Sequence, residues 1–376
     1  MNFDYNEEQQ LLADSVKRFI GKDYDFESRK KIVGSDPGYS DAVWATLAEM
    51  GLLGLPVSPD YDGFGGGALD MMGIMESIGD GLVVEPFLAT ILGAQFVARA
   101  GSDAQKKAIL PRVVEGKLKM AFAQTEKGAR YNLAHVGTKA KKSGVGYVID
   151  GEKCVVVHGP CADKLIVSAR TSGADTDARG ISLFLVDAKA AGLTQKAYRT
   201  LDELRACDIQ LKNVPVPADA LLGKEGEGLA LIEEVVDYGT ALICAEAVGA
   251  IKSANDATLE YIKTRKQFGV PIGAFQALQH RMVDMFISYE QAKSMACLAC
   301  DKVDSEKHPA ERKRLVSAAK VRVSEACRHV SQESIQLHGG MGMTEEMKVS
   351  HTFRRLTMLA QQFGDIDHHL ERFAGQ

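Results

Sequence analysis

A chain of 376 residues with 45% hydrophobic and 25% charged side chains has the balance of a globular protein with a large core. Its net charge of −5, with bases and acids alternating, gives no electrostatic footing for nucleic acid. The first ten residues lack a signal-peptide pattern, no run approaches the roughly 18 apolar residues of a membrane span, and seven scattered cysteines suit a reducing compartment, so a cytoplasmic location is expected.

From the start to about residue 118 the chain reads as helices. Asn6 and Gln9 stand at capping-box spacing, and Leu12, Val16, Phe19 and Ile20 recur on one helical face. Between Gly54 and Asp70 the segment GLPVSPDYDGFGGGALD breaks the pattern. From about 119 to 225 the runs MAFAQTE, YVIDGEKCVVV, DKLIVSAR and GISLFLVD read as strands between Gly- and Ser-bearing turns. A further strand ends at Pro215 and Pro217.

From about 226 onward helices return and lengthen. GLALIEEVVDYGTALICAEAVGAIKSANDATLEYIKTR reads as one helix of about nine turns, and further long amphipathic segments with short joints point to a helical bundle. Cys297 and Cys300 form a C-x-x-C pair within one helical stretch, with no second pair and no histidine at ligand spacing, so no metal is expected. The predicted architecture is α+β: an N-terminal α-helical domain (1–118), a middle β-barrel-like domain (119–225) and a C-terminal four-helix bundle (226–376).

That order, with these loops, resembles the acyl-CoA dehydrogenase family across essentially the whole chain. GLLGLPVSPDYDGFGG, FAQTEKGA, YVIDGEKCVVV, RKQFGVPIGAFQ and QLHGGMG are similar to family motifs, in order and at family-like spacing. The resemblance implies FAD, an acyl-CoA substrate, electron-transfer flavoprotein as the electron acceptor, and a tetramer in which neighbours share each flavin. It also implies the chemistry: a carboxylate removes the α-proton while the β-hydrogen leaves as hydride to the flavin. Arg265 then pairs with the pyrophosphate, Phe268 and Gln276 contact the same cofactor, and Gln336, Gly339 and Gly340 admit its adenosine end. The alternative for these residues is plain helix termination.

The flavin-ring half departs from the family. Thr125 and Glu126 match, but Tyr131 stands where a serine donates to the flavin phosphate. Val155 replaces the tryptophan that packs on the ring, and Val157 the threonine at flavin N5. The C-terminal base position, 27 residues beyond Gln336, is Phe363; the alternative base position on the first bundle helix is Gly239, followed by Thr240 where the family has arginine.

Two readings follow. In one, the chain is the base-deficient subunit of a heteromeric acyl-CoA dehydrogenase, resembling the small subunit of the pimeloyl-CoA dehydrogenase type, and lends its contacts to FAD held with a second subunit. In the other it is self-sufficient, with the base relocated to Asp365 or Asp367, residues that equally suit capping of the last helix. A flavin monooxygenase of the same fold is a third reading, prompted by His368–His369, a pair expected on the surface of a terminal helix. Asp237 is a further carboxylate near the expected CoA side, or part of an exposed i,i+4 pattern with Glu233.

Overall fold

The computed structural model describes residues 5–375. Six helices open the chain: α1 (Glu7–Asp23), α2 (Phe26–Gly34), α3 (Asp41–Glu49), α4 (Ala68–Gly81), α5 (Phe87–Ala100) and α6 (Asp103–Val114). Eight strands follow: β1 (Met120–Ala123), β2 (Lys139–Ser143), β3 (Gly146–Val157), β4 (Lys164–Arg170), β5 (Ile181–Asp187), β6 (Leu193–Arg199), β7 (Arg205–Pro217) and β8 (Leu221–Leu222). Then come α7 (Gly228–Thr264), a ribbon of β9 (Lys266–Gln267) and β10 (Val270–Pro271), α8 (Gln276–Ser305), α9 (Pro309–His338), α10 (Lys348–Gln361) and α11 (Ile366–Phe373). The helix–strand–helix order matches the expected fold class. Among the described residues no helix is long and apolar enough to cross a membrane.

Local chemistry explains where the first helix starts. The Asn6 side chain accepts from the Gln9 amide, and the Gln9 side chain accepts from the Asn6 amide, each at 2.9 Å, so the predicted capping box is formed.

The chain divides into two compact units. One comprises the stretch ending at Lys31, Gly67–Val83 and the stretch beginning at Asp237; the other comprises Ile32–Gly66 and Val84–Val236. In the first, α4 is keyed to α7 by reciprocal glycines. A Cβ on Gly79 would lie 1.9 Å from the Glu246 carbonyl oxygen, and one on Gly249 would lie 1.8 Å from the Glu76 carbonyl oxygen. The two helices thus meet backbone to backbone. Buried cations finish the helices of this unit. Arg29 donates to the Leu82 carbonyl (2.7 Å) and Arg355 to the Val83 carbonyl (2.6 Å), just beyond the end of α4. Lys320 donates to the Leu359 (2.7 Å) and Ala360 (3.0 Å) carbonyls in the last turn of α10. Each satisfies carbonyls that a helix C-terminus leaves open and places positive charge at its negative end.

The second unit centres on one mixed sheet in the order β6-β7-β3-β2-β4-β5-β8, with β1 parallel to β4. The expected middle β-domain is formed, and among the described residues no pairing joins β6 to β8 or β1. The sheet narrows instead to one partnered pair between β2 and β4, Lys139 and Arg170, and both halves share a core that includes Ile149, Leu165, Val167, Phe184, Cys207 and Ile209. Arg170 is buried at that narrowing. It donates to the carbonyls of Ala134 (2.8 Å), Val136 (3.1 Å) and Arg179 (2.9 Å), so one guanidinium ties down the flanking loops.

The α4–α7 crossing gives a direct test. Gly249→Ala is expected to cost about 2–4 kcal/mol or to abolish soluble expression, because the methyl group meets rigid backbone. Gly21→Ala, in α1 with nothing within 4 Å of its Cβ position, is expected to gain roughly 0.5–1 kcal/mol. Urea denaturation of both variants reads the difference.

Candidate cofactor-binding and active site

The first cluster forms at one end of the bundle. Tyr261, in the last turn of α7, stacks on His338, the last residue of α9, with ring centroids 4.3 Å apart and planes inclined at 27°. Arg281 near the start of α8 pairs with Glu333 near the end of α9. These contacts gather the end of α7, the start of α8 and the end of α9.

Arg265 follows α7 directly, with its amide donating to the Tyr261 carbonyl (2.8 Å) and its carbonyl accepting from Ile272 (2.8 Å). Its side chain is exposed. Phe268 sits at the tip of the β9–β10 ribbon, 91% exposed and in a left-handed conformation (φ 55°). Gln276 opens α8, and Gln336 lies in the last turn of α9; both are exposed. Gly339 has φ 59°, and neither it nor Gly340 has an atom within 4 Å of its Cβ position. An exposed guanidinium, an exposed aromatic ring, two amides and backbone open to close approach fit the pyrophosphate–adenosine half of a dinucleotide.

His338 was not singled out from the sequence. It is buried, its Nδ1–H donates to the Ser334 carbonyl (2.8 Å), and burial lowers its pKa. The ring is therefore neutral, with Nε2 as the acceptor. That atom is buried without a partner among the described residues. An unsatisfied buried acceptor costs on the order of 1–3 kcal/mol.

The second cluster lies in the sheet-bearing unit. Thr125, beyond β1, is half-buried and accepts from the Cys154 amide (2.8 Å). Glu126 accepts from the Gly137 and Thr138 amides (2.6 and 3.1 Å) and from the Lys153 ammonium (2.7 Å). Burial alone would raise the Glu126 carboxyl, but Lys153, Thr138 and the Gly137 amide together hold it below its usual range. Burial pushes Lys153 down to about 8 in spite of its carboxylate partner. This pair pins the Thr125 loop to β3.

A bulge between Lys153 and Val156 then turns Val155 outward, 47% exposed at φ 52°. A β-branched residue is costly in that conformation. Its amide donates to Asp208 (3.2 Å), whose same oxygen accepts from Tyr198 (3.0 Å). Tyr131 and Val157 are half-buried.

The third cluster surrounds the C-terminal turn. Phe363 is left-handed (φ 59°), and a Cβ on Gly364 would come within 2.5 Å of His368 and 2.6 Å of His369. Asp365 caps α11, its carboxylate accepting from the His368 amide at 2.9 Å, and Asp367 is exposed in the first turn. His369 is not the surface residue expected of a terminal helix. It is buried, Nε2–H faces the Phe363 carbonyl (3.2 Å), and Nδ1 faces the Ser317 hydroxyl (3.1 Å). Burial, with Lys320 and Arg372 adding to it, pushes its pKa down to about 2.

Asp237 also departs from its expected exposed i,i+4 pattern. It is fully buried and accepts from Arg312 (2.9 Å) and Arg372. Gly239 and Thr240, in the same turn of α7, are buried. Cys297 and Cys300 are buried, free thiols. The arginine partners had a signal in the sequence: Arg312, Val316, Lys320, Val323, Cys327 and Val330 share one stripe of α9, so two cations stand on an apolar face.

Comparison with known proteins identifies the family. The N-terminal, middle and C-terminal domain models of acyl-CoA dehydrogenase match residues 6–117, 121–214 and 226–374. The probable acyl-CoA dehydrogenase YngJ of Bacillus subtilis is 32% identical over 361 residues, 94% of this chain and 93% of that one. The FAD complex of PigA superposes with a TM-score of 0.92 at 26% identity, over 100% of this chain and 98% of that one. The Tcur3481-Tcur3483 steroid ACAD superposes at 0.88 with 27% identity, over 98% and 97%. The chain belongs to the acyl-CoA dehydrogenase family. It is accordingly an oxidoreductase of the acyl-CoA class with FAD as cofactor.

Two predictions follow from the buried charges. Asp237→Asn is expected to cost about 3–5 kcal/mol, since it leaves the buried Arg312 and the half-buried Arg372 without their shared counter-charge. Lys153 and Lys320 sit at about 8 in the folded chain against 10.5 ordinarily. The folded value is the lower, so between these limits the unfolded chain holds more protons and the contribution of each lysine to stability rises with pH. Chemical denaturation at about pH 8 and pH 10 is expected to show a smaller gain in Lys320→Met than in the unchanged protein. Equal gains would remove Lys320 from this account.

Proposed function

We propose that this chain is the base-deficient subunit of a heteromeric acyl-CoA dehydrogenase. In this reading a second subunit of the same family supplies the catalytic carboxylate and the flavin-ring pocket. The observation that carries the proposal is the state of the carboxylates. The two positions matching the family's base are Phe363 and Gly239, Asp365 is engaged in capping α11, and Asp367 faces solvent. A base relocated to Asp365 or Asp367 therefore lacks support. The monooxygenase reading lacks it too, because both nitrogens of His369 are already engaged.

FAD, when bound, supplies the acceptor for the β-hydride. This chain's residues bind and orient. Arg265 would neutralise the pyrophosphate, Phe268 and Gln276 would contact the same cofactor, Gln336 with the Gly339–Gly340 backbone would receive the adenosine end, and Thr125 would be a further contact. Tyr131, Val155 and Val157 withhold the donors and the stacking surface that a ring pocket needs. This chain is read as three domains, 1–118, 119–225 and 226–376, and the second subunit as one of the same family.

Val283, Phe286 and Ile287 expose a continuous apolar strip on α8, which supports assembly through the bundle, as a dimer of dimers in this reading. Electron-transfer flavoprotein would reoxidise the flavin, and seven free thiols suit a cytoplasmic setting. The pimeloyl-CoA type remains the model for the subunit pairing.

The purified chain is expected to be colourless and to retain FAD through purification only with its partner subunit; alone it offers only the ADP-binding half, so FAD titration followed by visible absorbance is expected to show binding no tighter than that of ADP. In the assembled complex, Arg265→Ala is expected to weaken FAD binding by tenfold or more. A chain that is yellow alone and bleaches with an acyl-CoA would overturn the proposal; Asp365→Asn and Asp367→Asn would then locate the base.

A further inference from the structure

One buried polar side chain on the cofactor face has no task in the function proposed above. His338 ends α9 directly before Gly339, and its Nε2 is buried without a partner among the described residues. The ring is held from two sides. Nδ1–H donates to the Ser334 carbonyl one turn earlier (2.8 Å), and the face of the ring lies 4.3 Å from Tyr261. Both stacked residues connect to the segments that face the cofactor. Tyr261 receives the Arg265 amide at its carbonyl, and the Gly339 amide bonds back to the Gln336 carbonyl.

We propose that the Tyr261–His338 stack is the positioning pair of this face. It sets the spacing between the Arg265 segment and the Gly339–Gly340 turn, so that one nucleotide diphosphate reaches both. The inference rests on the cofactor reading of the face and adds the residues that fix its geometry. Neither ring need touch the ligand. A histidine suits the position because a neutral imidazole offers a flat surface for Tyr261 and a donor that locks its orientation to α9. Phenylalanine offers the surface without the lock.

ADP, the half of FAD that this face is read to hold, is the probe. It is titrated into the full chain and followed by NMR of the histidine ring protons. In the unchanged protein the His338 signals are expected to move as ADP binds, and Arg265→Ala is expected to weaken binding about tenfold. His338→Gln and Tyr261→Ala are expected to weaken it to a similar degree, the double variant being little worse than either single one. His338→Phe and Tyr261→Phe, which keep two stacked rings, are expected to bind within about threefold of the unchanged chain.

Loss on Arg265→Ala with full binding by His338→Gln and Tyr261→Ala would overturn the positioning pair and leave the cofactor reading intact. If the unchanged chain fails to bind ADP, or Arg265→Ala has no effect, the cofactor reading of this face falls and the inference falls with it. Loss in the phenylalanine variants equal to that in His338→Gln and Tyr261→Ala would also overturn it, because the stacked surface would then not be what matters.

Discussion

Asp237 stands on α7 in full burial and receives Arg312 from α9 and Arg372 from α11. A carboxylate there requires cations, and the cations require it, since an unpaired charge in such a place costs far more than a lost surface contact. The connection does not stop at the ion pair. Arg372 also reaches the Ser317 hydroxyl (3.3 Å), Ser317 faces His369 Nδ1, and His369 Nε2 faces the Phe363 carbonyl. The left-handed turn at Phe363 and Gly364 is therefore the far end of a hydrogen-bonded line that starts on α7. The turn at Phe363, read above as the place of the missing base, is thus held from within the bundle.

Other buried cations follow the same logic. Arg29 and Arg355 meet carbonyls beyond α4, and Lys320 meets carbonyls at the end of α10. Each helix end would otherwise bury open acceptors. Lys153 serves the sheet similarly, through Glu126 and the Ser168 hydroxyl (2.9 Å). Positive charge thus anchors the polypeptide in both compact units, whereas Arg265 is left exposed.

Much of the fold was legible because periodicity and punctuation are local. The Asn6–Gln9 box, the β-branched runs and the long amphipathic stretches each announce an element within a few residues. The Asp365 cap was legible for the same reason. Partnerships across the chain were not. Asp237 sits four residues from Glu233 and looked like part of a solvated face, whereas its partners lie 75 and 135 residues away. His369 looked peripheral because its helix is terminal, yet Ser317, 52 residues earlier, supplies its buried partner. In β3 the bulge shifts the inward parity, so that Lys153 turns in and Val155 turns out, and strict alternation cannot anticipate it. The motif segments at the bundle end were visible as a resemblance; the Tyr261–His338 stack that draws them together depends on where two helices end.

The division into two discontinuous units bears on how the chain is made. α1 and α4 leave the ribosome early, but the helix that α4 is keyed to through Gly249 is synthesised more than 150 residues later. The sheet-bearing unit is complete once Val236 has emerged, while the other waits for most of α7 and for α8 to α11. At typical synthesis rates α4 waits on the order of ten seconds with apolar residues such as Met71, Ile74 and Met75 uncovered. A nascent chain of this design offers chaperones a defined early target, and its N-terminal helices can be captured by the wrong copy of α7 before their own arrives.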